Sequence, residues 1–114
     1  MKKLDVLIRK LYALSVIAHV AHVNTRSFAQ HQALGEFYDK VNDMKDRLIE
    51  YLMGENKIVK VEAAILECGG DVIAEADSVS RDFIEITNGD EALENMAGEF
   101  EEAVGKLKFL FLLK

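Results

Sequence analysis

The stretch Lys3-LDVLIRKLYALSVIAHVAHV-Asn24 decides the architecture. Its apolar residues Leu4, Leu7, Leu11, Leu14, Ala18 and Ala21 recur at alternating steps of three and four, the spacing of one helical face packed in a bundle. Asn24-Thr25-Arg26-Ser27 follows as a polar run, and Ser27 with Gln30 three residues on has the form of a capping box. A second helix is therefore expected from Ser27. Phe28, His31, Leu34, Tyr38, Val41, Leu48 and Leu52 carry its apolar spacing, and Gly54 offers the left-handed residue that ends it. Lys57–Cys68 mixes strand-like Ile58-Val59 with helix-like Glu62-Ala63-Ala64, and the reading adopted is a short connecting helix broken by Gly69-Gly70. A third helix runs from Asp71 to Thr87 through Val72, Ile73, Ala76, Val79, Phe83 and Ile84, and Asn88-Gly89 ends it. Asp90 caps a fourth, through Leu93, Met96, Phe100, Val104 and Leu107 into Phe109-Leu-Phe-Leu-Leu113.

The expectation is an all-α protein, an antiparallel four-helix bundle with a short connecting segment between helices two and three. Composition agrees. A chain of 114 residues with 50% apolar, 30% charged and no proline is one helical domain, residues 1–114, with a packed core. Five of the last six residues are apolar. In a monomer that last turn must be buried all round, whereas in an oligomer it can fill a subunit contact, the reading preferred here.

Charge narrows the function. The net charge is −6, and it is uneven: residues 1–60 hold ten Lys/Arg against seven Asp/Glu, residues 61–114 four against thirteen. No basic strip is present to neutralise a phosphate backbone, so nucleic acid is not an expected partner. Phosphate chemistry has no Gly-rich loop to support it. The single Cys68 can form neither an internal disulfide nor a zinc knuckle and is read as an ordinary helix-end residue in a reducing compartment. Asp5, Arg9 and Lys10 interrupt any signal-like stretch, and no run of about 18 uncharged apolar residues occurs, so no membrane association and a cytoplasmic location are expected. Tyr12, Tyr38 and Tyr51 are read as core-edge residues.

The chemistry-bearing residues cluster early. His19, His22 and His31 are the only histidines. At 100° per residue His22 falls within about 40° of the helix-one leucine stripe and His19 on its flank, so His22 is expected to face inward. On helix two, Asp39, Asp43, Asp46 and Glu50 form a ridge beside the apolar face. Asp46 and Glu50, four residues apart, can offer two carboxylates to one ion, and imidazole with carboxylate suits iron, manganese or zinc. His31 and Asp46 lie about 22 Å apart along a single helix. A two-fold copy of helix two brings them together, which makes a homodimer with two equivalent sites the expected assembly.

The run Ala21-His22-Val23-Asn24-Thr25-Arg26-Ser27-Phe28-Ala29-Gln30-His31, continued through Glu36-Phe37-Tyr38 to Asp46 and Glu50, resembles the ferroxidase segment of the ferritin-like Dps proteins, the DNA-binding proteins from starved cells. That family has a His-Trp-Asn helix end, a short loop with Phe, a His on the next helix, and an Asp and a Glu four residues apart beyond it. Ala29–Asp39 also resembles short ferritin-like proteins of phage and environmental sequences. The likeness covers about residues 15–54. Val23 stands where the family has Trp. By chain context His22 is the helix-one counterpart, and by spacing to His31 it is His19; both stay open.

The resemblance implies ferrous iron bound between two subunits by His22 and His31 of one chain and Asp46 and Glu50 of the other. It also implies oxidation by peroxide or oxygen, with His19, Asp43 and Glu36 as outer residues that orient ligands. A Glu-x-x-His motif, which the usual four-helix di-iron site needs, is absent. The competing expectation is a metal-free helical interaction or structural module whose His and Asp residues satisfy one another.

Overall fold

The computed structural model describes residues 2–57 and 71–113. They form four helices and, among the described residues, no strand: α1 Lys2–Asn24, α2 Phe28–Gly54, α3 Val72–Ile86 and α4 Glu91–Leu112. The expected connecting helix over Lys57–Cys68 falls on positions beyond Lys57 that lie outside the described residues.

The caps are those the sequence offers. Asp71 and Asp90 are the N-caps of α3 and α4, their carboxylates accepting from Ile73 and Ala74 and from Leu93. Each side chain satisfies backbone donors that a helix start leaves without partners. Ser27 caps α2 by accepting from the Gln30 amide at 3.2 Å. The reciprocal half of the expected capping box is replaced: the Ser27 amide donates to Thr25 Oγ1 at 3.3 Å, and the Thr25 hydroxyl donates to Gln30 Oε1 at 3.2 Å. The end of α2 departs from expectation too. Gly54 stays helical, and Asn56 takes the left-handed conformation at φ 56°. The Lys57 amide then reaches back to the Leu52 carbonyl at 2.8 Å, which closes the last turn.

One core joins the helices. Leu4, Leu7, Leu11 and Leu14 of α1 meet Leu34, Phe37, Val41 and Leu48 of α2, Val79 and Phe83 of α3, and Phe100, Val104 and Leu107 of α4. Phe100 is the centre, its ring 5.8 Å from Phe83 and 6.2 Å from Phe37. Each helix touches two others, α1 with α2 and α3, α4 with α2 and α3, and the diagonal pairs do not meet among the described residues. By length and composition α1 is also long and apolar enough to cross a bilayer over Lys3–Asn24, but its leucine stripe packs into this core.

Several positions on the expected apolar spacing face outward instead. Phe28 is 73% exposed, and His31 is also exposed, because the true buried face of α2 is Ala33, Leu34, Phe37, Val41, Met44, Leu48 and Leu52; Ile84 is exposed because α3 buries Val72, Ala76, Val79 and Phe83 instead. The last turn of α4 is not buried all round: Phe109, Leu112 and Leu113 face solvent, while Leu110 and Phe111 pack on the core. Tyr38 and Tyr51 sit at the core edge as read, and Tyr12 lies half out under the Lys45 ammonium, which is 4.4 Å from the ring centre.

Polar pairs tie neighbouring helices. Lys10 pairs with Asp82 between α1 and α3, and Lys108 with Asp77 between α3 and α4 at 3.1 Å. Between α2 and α4, Lys106 reaches Glu36 at 3.3 Å, and Arg47 grips both oxygens of Glu99 at 3.1 and 2.8 Å. That bidentate grip holds the Glu99 carboxyl below the usual glutamate range. Asp90 joins the other end of α2 by accepting from the Tyr51 hydroxyl at 3.2 Å. Burial and this carboxylate raise the Tyr51 phenol above its ordinary value.

Two outcomes follow. Asp90→Ala removes a cap and the Tyr51 acceptor together, and should cost about 1–2 kcal/mol in urea unfolding, with Asp90→Asn losing less. A depressed folded-state value means that the Glu99 contribution is present above the ordinary glutamate range and lost as pH falls through the lowered one. Glu99→Gln should therefore flatten the acid limb of the stability profile, by less than about 1 kcal/mol because both partners are solvent-accessible.

Candidate functional site

Two of the four first-choice residues come together within the chain. α1 ends at Asn24 and α2 begins at Phe28, so the short connection sets the last turn of α1 against the first turns of α2. His22 and His31 stack there, ring centres 3.9 Å apart and planes 19° apart. Each also bonds the other's backbone: His22 Nδ1 lies 2.7 Å from the His31 carbonyl oxygen, and His31 Nδ1 lies 2.8 Å from that of His22. The His22 carbonyl belongs to the last turn of α1 and has no acceptor role left within the helix. His31 supplies its donor.

That reciprocity fixes the proton. A carbonyl oxygen only accepts, so Nδ1 of both rings carries hydrogen, and in a ring that holds no second proton Nε2 is the nitrogen left with a lone pair. Nδ1–H on a backbone carbonyl is the usual arrangement of a histidine whose Nε2 holds a metal. His22 is half-buried and turned onto α2, so its expected inward direction resolves into a seat at the helix seam; His31 is exposed. Gly35 makes that seat. A Cβ at position 35 would lie 3.0 Å from His22 Cε1 and 3.3 Å from Nδ1, closer than an unshifted ring tolerates. His19 is exposed on the same side, 6.3 Å from His22 and 4.9 Å from the Tyr38 ring.

The carboxylates lie elsewhere. α2 is continuous from Phe28 to Gly54, so Asp46 and Glu50 sit several turns from His31 on the same helix. The acidic ridge is solvent-facing along its length, with Glu36, Asp39, Asp43, Asp46 and Glu50 all exposed. Glu36 is engaged by Lys106 and Asp43 by Arg47 at 3.7 Å. Among the described residues Asp46 and Glu50 form no ion pair. No group of three or more His, Cys, Asp or Glu side chains able to hold a metal occurs among the described residues of the single chain.

Two features escaped the sequence reading. The contact between His22 and His31 through each other's backbone has no periodic signature. Gly35 had one: a glycine inside a long helix costs about 1 kcal/mol against alanine and asks for a packing reason. A groove of about 370 Å³ lies between α2 and α4, floored by Ala33, Phe37, Leu107 and Leu110 and edged by Glu36, Asp39 and Asp43, with no histidine in its lining.

In long-range ¹H–¹⁵N spectra at a pH where the rings are neutral, His22 and His31 should both show the Nδ1–H tautomer. Gly35→Ala should disturb that pattern at His22 while leaving global stability within about 1 kcal/mol, because the gain in helix propensity offsets the crowding. Comparison of the chain with protein-family models, with curated proteins and with solved structures finds no match.

Proposed function

We propose that the chain is a ferritin-like, metal-binding helical bundle that holds iron, with manganese or zinc suited to the same donors, at a site shared by two copies. His22 and His31 of one copy supply imidazole nitrogen, and Asp46 and Glu50 of the other supply carboxylate. His19 stays the alternative helix-one donor, and Asp43 and Glu36 orient ligands from the periphery. The single observation that carries this reading is the histidine pair, whose Nδ1 atoms are both committed to backbone, which leaves Nε2 of each ring as the nitrogen to hold a metal when unprotonated. Two carboxylates four residues apart, with no cation partner among the described residues, fit the rest of the donor set. When bound, ferrous iron would be the substrate, oxidised by peroxide or oxygen. The chain's own part is to orient nitrogen and carboxylate donors around it.

The ferritin-like arrangement draws support from helix order. Ser15 meets Asn42 and His19 meets Tyr38, so α2 runs back along α1. Glu36 with Lys106 and Arg47 with Glu99 turn α4 against α2, and Asp77 with Lys108 turns α3 against α4. Neighbours are thus antiparallel, while α2 and α3 on the diagonal share a direction, the order of a bundle with one long crossover.

A second reading has its own observation. The histidines already satisfy each other's helix ends, and a metal-free helical interaction module needs no more from them. Elemental analysis of protein loaded with ferrous iron separates the two. The metal reading expects about one ion per chain, from two equivalent sites in a two-fold dimer. His31→Ala and Glu50→Ala should each lower affinity by about tenfold or more with helix content near normal. Metal at background level, or affinity unchanged in both variants, overturns it.

A further inference from the structure

Exposed apolar side chains from three helices gather at one end of the bundle. Glu36 with Lys106 and Arg47 with Glu99 set α2 and α4 in opposite directions, so the first turn of α2 lies level with the last turn of α4. The short connection brings the last turn of α1 to the same end, and Asp77 with Lys108 brings the start of α3 there. Leu112 is 79% exposed, and Val23, Phe28, Phe109 and Leu113 are each more than half exposed. None of these side chains lines either groove between α2 and α4, so they stand out from the surface rather than wall a cleft.

Charge is sorted along the same axis. Between Leu11 and Gly35 the only charged residue is Arg26, and between Ala103 and Lys114 the only ones are Lys106, Lys108 and Lys114. Arg26 is exposed and has no acidic partner among the described residues. The acids of this end come from α3: Asp71 is turned onto the amides of Ile73 and Ala74, and Glu75 is half-buried. Along α4 the outward stripe changes from Glu91, Glu94 and Glu102 to Phe109 and Leu112 at steps of three, four or their sums. The opposite end of the bundle exposes Lys3, Asp5, Glu55, Glu85, Glu91 and Glu94.

We infer that the Phe28/Leu112/Leu113 end docks on a lipid bilayer surface that carries anionic headgroups. Phe28, Leu112 and Leu113 enter the acyl boundary, and the Arg26 guanidinium lies at headgroup level. Charge decides this occupant against a second copy, because end-to-end contact of two chains would bring the cations of both to one place. Contact of this kind needs no spanning run, on whose absence the expectation of no membrane association rested. It also needs no metal.

The sequence has no tryptophan, so a single introduced one reports its own position. With vesicles of phosphatidylcholine and phosphatidylglycerol at low salt, Leu112→Trp should shift its emission to the blue and be quenched by brominated acyl chains. Met53→Trp, exposed near the other end of α2, should do neither. In flotation with the same vesicles, Phe28→Ser combined with Leu113→Ser should bind about tenfold more weakly or worse, with unchanged helical circular dichroism. Arg26→Ala should lose about fivefold, the loss expected of one cation near an anionic surface. No shift at Leu112→Trp, or equal shifts at both positions, overturns the proposal. So does a blue shift that grows with protein concentration before vesicles are added, since a second copy then covers this end. An Arg26→Ala chain that binds as tightly as the native one overturns the choice of an anionic surface.

Discussion

The register between α1 and α2 is the constraint on which the remaining placements depend. It is held at the middle by the Ser15 hydroxyl donating to Asn42 at 2.8 Å, at one end by the Lys45 ammonium over Tyr12, and at the other by the crossed histidine bonds. Slipping α2 by one residue would turn every side chain on it by about 100°. Val41 and Leu48 would leave the core, and Gly35 would no longer sit under His22. The polar contacts are individually modest, but they select one alignment of two long apolar faces whose leucines alone would tolerate others.

Charge is distributed to suit that arrangement. Part of the acid in the second half of the sequence lies on the outer surface of α4, where Glu91, Glu94, Glu101 and Glu102 are exposed, and the cations at its other end are spent on neighbours, Lys106 on Glu36 and Lys108 on Asp77. α1, by contrast, carries no Asp, Glu, Lys or Arg from Leu11 to Asn24. The molecule therefore presents one surface that repels its own kind and one that does not, a pattern consistent with selective self-association.

Most of the fold was legible because its signals are local. Asp71, Asp90 and Ser27 carry cap chemistry within three residues of the amides they serve, and the leucine spacing of α1 needs no knowledge of its neighbours. What was not legible depends on contacts between elements. Phe28 and His31 satisfy the helical period yet point outward, since a period fixes a face and not which face is buried. Gly54 looked like the helix terminator, but it stays helical and Asn56 takes the left-handed position, which lets the Lys57 amide reach the Leu52 carbonyl. Of the candidate site, the separation of His31 from Asp46 along one helix was readable. The stacking of His22 on His31 was not, since it depends on the path of a three-residue connection.

Gly35 has a dynamic consequence as well as a steric one. A glycine in the second turn of α2 weakens the helix just where the connection to α1 is attached, so amides of the first two turns should exchange with solvent faster than those around Val41 and Leu48. The crossed histidine bonds are what closes this segment. Anything that engages both rings at once should therefore slow exchange at this end of the molecule.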